Sequence, residues 1–163
     1  MGTVKRFEEL HVYADAMDLA VEVHKICKDE AFSREYALVN QVKRAALSIA
    51  SNIAEGYERG ARKEFIQFCH IAKGSCGELR SHLTYANRVG ILSAACFQRL
   101  CEKCLKESRL LHNFIDYLKK TEKTTQGDKF KKPKTEIVSE EFMLYGSKGS
   151  GNQVRPFLKT KRK

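Results

Sequence analysis

Seven apolar residues, Phe65, Phe68, Ala72, Cys76, Leu79, Leu83 and Ala86, follow one another at steps of three or four. An α-helix places such positions on one face, so the span from about Arg62 to Arg88 reads as a long amphipathic helix. Three more stripes of the same period flank it. The first helix, from Phe7 to about Lys28, carries Leu10, Tyr13, Ala14, Met17, Ala20, Val21 and Cys27, with a second apolar edge of Val12, Ala16, Leu19, Val23 and Ile26. The second, from about Arg34 to Glu55, uses Leu38, Val42, Ala45, Ile49 and Ile53, with Ser33 as its expected N-cap. The fourth, capped by Ser93 after the stop at Gly90, runs to about Lys120 on Phe97, Leu100, Cys104, Leu111, Phe114, Ile115 and Leu118. No strand-type alternation of useful length competes. Four such helices with short connections predict an all-α, up-down-up-down antiparallel bundle over residues 1–120.

Between the second and third helices lies Ser48-Ile49-Ala50-Ser51-Asn52-Ile53-Ala54-Glu55-Gly56. Its small residues allow a neighbouring helix to approach closely. Gly56 and Gly60 suit the left-handed backbone that ends a helix. Asn52 and Glu55 are polar in an apolar setting, where an unpaired amide or carboxylate is costly. They read as structural ties that fasten the corner to its neighbours. Gly74 and Gly77, inside the third helix, each cost ~1 kcal/mol against alanine, which suggests either a neighbouring backbone in close contact or tolerated weak points.

The net charge of +10 is unevenly spread. Residues 1–120 hold 19 Lys/Arg against 15 Asp/Glu, and residues 121–163 hold 11 against 5. The second span reads as a basic flexible tail with a docking segment at 137–145. An acidic partner, nucleic acid above all, suits that balance, although a purely solubilising tail has the same composition. No apolar run reaches the ~20 residues of a membrane span, and Met1 to Phe7 lacks a signal-peptide core. A cytoplasmic protein with no membrane partner is expected.

Catalysis is not expected. The five histidines form no HExxH or HxH cluster, and Cys69 and His70 point about 100° apart on a helix, too far to act as nucleophile and base. His82 reads as a hydrogen-bonded core residue. The six cysteines fall in helical patterns and read as buried reduced thiols. Cys101-Glu102-Lys103-Cys104 has a zinc-ligand spacing without the second pair that a zinc site needs. No metal or cofactor is expected.

On the third helix, Ile66, Lys73, Arg80 and Asn87 recur every seven positions beside the core stripe, while Glu64, Ile71, Glu78 and Tyr85 recur on the far side. Ile66, Ile71 and Tyr85 are apolar residues beyond the bundle's own needs and mark an oligomer interface. Assembly would gather Lys43, Arg44, Arg59, Arg62, Lys63, Lys73 and Arg80 into one basic surface for phosphates.

The corner sequence, then Lys63-Glu64-Phe65-Ile66-Gln67-Phe68, Ile71-Ala72-Lys73-Gly74-Ser75 and Glu78-Leu79, with Phe7-Glu8-Glu9-Leu10 ahead of them, resembles the 23S ribosomal RNA intervening-sequence protein family. The resemblance spans about residues 7–120. It implies a four-helix bundle, commonly a homopentameric ring, some members being encoded within insertions in ribosomal RNA genes. The fold is also similar to the accessory variability determinant of diversity-generating retroelements, a basic pentamer that binds RNA and a reverse transcriptase. Ala50 stands where the family often has proline, so a straighter second helix is expected. The functional expectation is a non-enzymatic oligomeric bundle that binds RNA or other nucleic acid. The alternative is a protein-interaction scaffold, such as an accessory subunit of a reverse transcriptase.

Overall fold

The computed structural model describes residues 4–122. A 3-10 turn, Phe7–Glu9, leads into α1 (His11–Ile26); a short helix, α2 (Glu30–Ser33), precedes α3 (Tyr36–Glu58), α4 (Arg62–Arg88) and α5 (Ala94–Glu122). The four long helices pack in order around one core, α1 on α3, α3 on α4, α4 on α5, and α5 back on α1. This is the expected antiparallel four-helix bundle. The tail from residue 123 onward, with its docking segment at 137–145, lies outside the described residues.

The apolar stripes account for the core, with one exchange of roles. In α1 the buried positions are Val12, Ala16, Leu19, Ala20, Val23 and Ile26, so the second edge faces inward. Tyr13 and Met17 are half-buried, and Ala14 and Val21 are exposed. The helix also starts later than its pattern suggests. Leu10 takes an extended conformation and is itself buried, which interrupts the chain between the 3-10 turn and α1. Between α1 and α3, Phe32 on α2 is 1% exposed and fills the core at that end.

Ser33 does not cap α3. It closes α2, donating its hydroxyl to the carbonyl of Glu30 at 3.0 Å, and Glu35 stands at the N-cap of α3 without a side-chain bond. Ser93 does cap α5, accepting from the amide of Cys96 at 3.3 Å. The left-handed residues are Gly60 (φ 73°) and Gly90 (φ 78°), one after α3 and one after α4.

Gly56 has a different reason for being glycine. It lies inside α3 with helical backbone and is buried. A Cβ built there would stand 2.6 Å from Phe68 Cβ and 3.0 Å from a ring carbon of Phe65, both on α4. The missing side chain is what lets α4 come this close. Of the two readings of Gly74 and Gly77, close contact within the bundle fails, since nothing lies within 4 Å of a Cβ at either. They press against no neighbour in the bundle.

All six cysteines are free. Burial pushes the Cys69 and Cys104 thiols up to about 12 and Cys76 higher still, so they behave as small apolar side chains. One buried group was not anticipated. Glu107 on α5 is 2% exposed, and neither carboxylate oxygen has a hydrogen-bond partner. Burial raises its pKa to about 8; the Asp15 carboxylate on α1 pushes the same way, and Lys106 opposes.

Two predictions follow from this packing. Gly56→Ala gains helix propensity but drives a methyl into Phe68; overpacking of this kind costs about 1–3 kcal/mol. Urea unfolding should therefore show a net loss, where an open helical site would show a gain. Glu107 binds a proton in the folded state at a pH where the unfolded chain has released it, so stability should fall as pH rises from about 4.5 to about 8. Glu107→Gln should flatten that decline in a melting series across this range, and an unchanged slope would count against the buried, protonated carboxyl.

Candidate nucleic-acid interface

At the corner, the two suspected ties prove unlike each other. Asn52 Nδ2 donates to Ser48 O at 2.7 Å and to Ser48 Oγ at 3.0 Å. Ser48 Oγ lies 2.8 Å from Ser75 Oγ on α4, and Ser75 Oγ donates to Ile71 O at 3.2 Å. Each hydroxyl has one proton, so the direction is set. Asn52 donates to Ser48, Ser48 to Ser75, and Ser75 to the backbone of Ile71. The relay fastens α3 to α4.

Glu55 is instead exposed and holds Arg59 at 2.8 Å. Arg59 also reaches Glu64 on α4 at 3.3 Å and lies over the Phe68 ring, 4.7 Å from its centroid. Glu55 is thus a tie at the surface of the corner and not in its apolar interior. The apolar neighbours Ile53 and Gly56 face inward, while Glu55, about 200° from Ile53 around the helix, faces out. Arg59 is committed to closing the corner, which removes it from the set of free phosphate-binding cations.

The remaining basic candidates divide by face. Lys43 is half-buried on the side of α3 toward α1, and Arg44 lies on the outer surface of α3. Arg62 is half-buried and Lys63 exposed at the start of α4. Lys73 and Arg80 face α5. Arg80 runs along the seam between the helices, where its charge draws down the thiols of Cys76, Cys101 and Cys104 and its Nε is sealed without a partner. Within one bundle the seven cations therefore lie on separate faces.

What it does assemble was not read from the sequence. His70 and Lys73 on α4 come together with His112 and Lys119 on α5 along one seam. Burial lowers the His70 pKa, and Lys119, Lys73 and His112 lower it further, with Asp116 alone opposing. Asp116 Oδ2 stands 3.6 Å from His112 Nε2. The seam between α1 and α5 is the contrast. There Glu22 pairs with Arg99 at 3.0 Å and with Lys103, and Asp15 pairs with Lys106 at 2.7 Å. Positive charge is neutralised on one flank of α5 and left in excess on the other. The missed signal lay between residues 42 positions apart: His112 bears on His70 only because α4 and α5 run antiparallel at this register.

The apolar candidates also separate. Ile66 is half-buried and packs against the core, so the bundle does use it. Ile71 (43% exposed) and Tyr85 (58%) are open, as are Val21, Leu47 and Val89, which were not singled out. His82 is half-buried, but its Nε2 makes no hydrogen bond; Glu78 Oε1 is 3.6 Å away. Among the described residues no group of three His, Cys, Asp or Glu could hold a metal ion, and no helix is long and apolar enough to cross a membrane.

The model of the 23S rRNA-intervening sequence protein family matches residues 8–113. The chain belongs to this family. The match takes in the relay, the corner clasp and nearly all of the α4–α5 seam, with Asp116 and Lys119 just beyond it. Among solved structures, the bundle is similar to a protein of unknown function from the S23 ribosomal protein family of Bacteroides thetaiotaomicron. That likeness has a TM-score of 0.59 at 22% identity over 64% of this chain and 97% of the other. At that identity it speaks to the fold. No curated protein matches the chain.

The two ties should respond differently to truncation. Asn52→Ala removes two hydrogen bonds and leaves Ser48 without its donor, so it should cost ~1–3 kcal/mol in denaturant unfolding. Glu55→Ala breaks an exposed ion pair and should cost less than ~1 kcal/mol. Equal losses would contradict the division drawn here.

Proposed function

We propose that this family member is a non-enzymatic, oligomeric helical bundle that binds RNA or another nucleic acid through the α4–α5 seam. The carrying observation is the cluster of His70, Lys73, His112 and Lys119, opposed by a single carboxylate. Phosphates are drawn to the Lys73 and Lys119 ammonium groups, and to the imidazoles once they are protonated, and Arg62 extends the strip toward the corner. An approaching phosphate favours the charged form of His70, so binding would take up a proton there.

Homo-oligomer formation is part of the same reading. Val21 on α1, Leu47 on α3, Ile71 on α4 and Val89 just beyond it are exposed apolar residues. Contact between copies would cover such residues, and a pentameric ring is the form suggested by the family resemblance. A soluble cytoplasmic setting suits this reading too. The same exposed residues support the second reading, an accessory subunit docked on a reverse transcriptase, which would need no intrinsic affinity for RNA.

A titration of labelled structured RNA separates the two. With about four phosphate contacts, affinity should drop on the order of 100-fold between 50 and 200 mM salt and should rise as pH is lowered toward 6. Lys73→Glu with Lys119→Glu should weaken binding at least ~10-fold while light scattering shows an unchanged assembly. Salt-indifferent binding, or none at 50 mM, would favour the accessory-subunit reading, and a monomer by light scattering would remove the ring.

A further inference from the structure

The opposite flank of α4 holds a feature that the seam does not explain. Between the N-terminal half of α3 and the C-terminal half of α4 is an open cleft of ≈ 630 Å³. Leu38 forms its apolar floor, and its walls carry Asn40, Gln41, Arg44, His82 and Tyr85. Glu35 contributes the one carboxylate. The volume falls within the range of sites that take small ligands. Its composition is unlike that of a protein-docking groove, whose centre is apolar and poor in charge.

The chemistry of each wall is specific. Tyr85 is 58% exposed, an aromatic face with nothing stacked on it. Asn40 and Gln41 are exposed and make no side-chain hydrogen bond to any described residue; each offers a donor and an acceptor side by side. Arg44 is exposed and forms no ion pair with any described residue, leaving its planar fork open to a phosphate. His82 adds a buried Nε2 without a hydrogen bond. An aromatic face, two amides and a guanidinium around one hollow are the groups that hold a splayed-out base and its phosphate.

We propose that this cleft takes one unstacked base of a single-stranded nucleic acid, with Tyr85 stacking on the base, Asn40 and Gln41 meeting its edge and Arg44 pairing with an adjacent phosphate. The proposal rests on the nucleic-acid reading of the seam and deepens it by naming the form of the ligand. Tyr85 lies twelve residues beyond Lys73 on α4, about 18 Å along the helix. A strand crossing the outer face of α4 reaches both sites. On that face Gly74 is exposed, with no atom within 4 Å of the position a Cβ would take, and Ser81 is exposed as well. A backbone can pass over these two small residues, with the exposed Glu78 carboxylate beside the path.

The test compares a single-stranded RNA carrying one 2-aminopurine with the same RNA in a duplex, at fixed salt. Wild type should prefer the single strand by on the order of 10-fold, the scale of one base–aromatic stack, with a change in 2-aminopurine emission on binding. Tyr85→Ala should abolish that preference and leave duplex affinity unchanged, and Tyr85→Phe should keep it. Arg44→Glu should weaken the single strand more than the duplex. A loss of both forms alike on Tyr85→Ala, no loss of either, or a drop in assembly size by light scattering would overturn the cleft and mark Tyr85 as general surface or as a contact between copies. Duplex binding that still falls with Lys73→Glu, without single-strand preference, would defeat the cleft alone. Binding of neither form would defeat the seam reading as well.

Discussion

The closeness of α3 to α4 is the condition on which the remaining geometry depends. Two unlike contacts set it. One is steric, with Gly56 offering a gap that Phe68 and Phe65 occupy; the other is polar, with the Asn52–Ser48–Ser75 relay crossing eight residues back along α3. A slide of one turn would put a side chain where the gap is needed and move both serines out of reach. The aromatic column continues inward from this seam, with Tyr57, Phe65 and Phe114 edge to face at 5.9 and 5.4 Å. Through Phe114 the same contact positions α5. The register that brings His70 opposite His112 therefore begins with an absent methyl group on α3.

Much of the fold was legible because the information was local. Four stripes of 3.6-residue period need only one helix each to be read, and Gly90 and Ser93 mark a stop and a cap within four residues. The misreadings have physical causes of the same kind. Both faces of α1 are apolar, so period alone does not say which one is inward. Gly56 carries the composition of a helix end, but its role is set by Phe68, a residue on another helix. Ser33 precedes a helical pattern in the manner of a cap, yet its hydroxyl turns back to Glu30 within a four-residue helix that no stripe announces. Glu107 gave no signal, since a glutamate in a helix is ordinarily outside.

The candidate site was less legible than the fold. Lys73 was found because it flanks a stripe; His70, His112 and Lys119 were not, because their charges gain meaning from the pairing of α4 with α5. Arg59 illustrates the converse. From sequence it is one more cation, and only the two carboxylates on either side of the corner show that it is already used. Distribution thus matters more than count: the cations facing α1 are neutralised by Glu22 and Asp15, and those facing α4 are left over.

Glu107 bears on the charge itself. The formal +10 treats every carboxyl as ionised. With this one raised to about 8, it is mostly protonated at pH 7, so removing one negative charge from the sum leaves the folded chain at about +11. Unfolding would release that proton. The native protein is therefore slightly more cationic than its own unfolded chain, and part of its attraction for polyanions is created by folding.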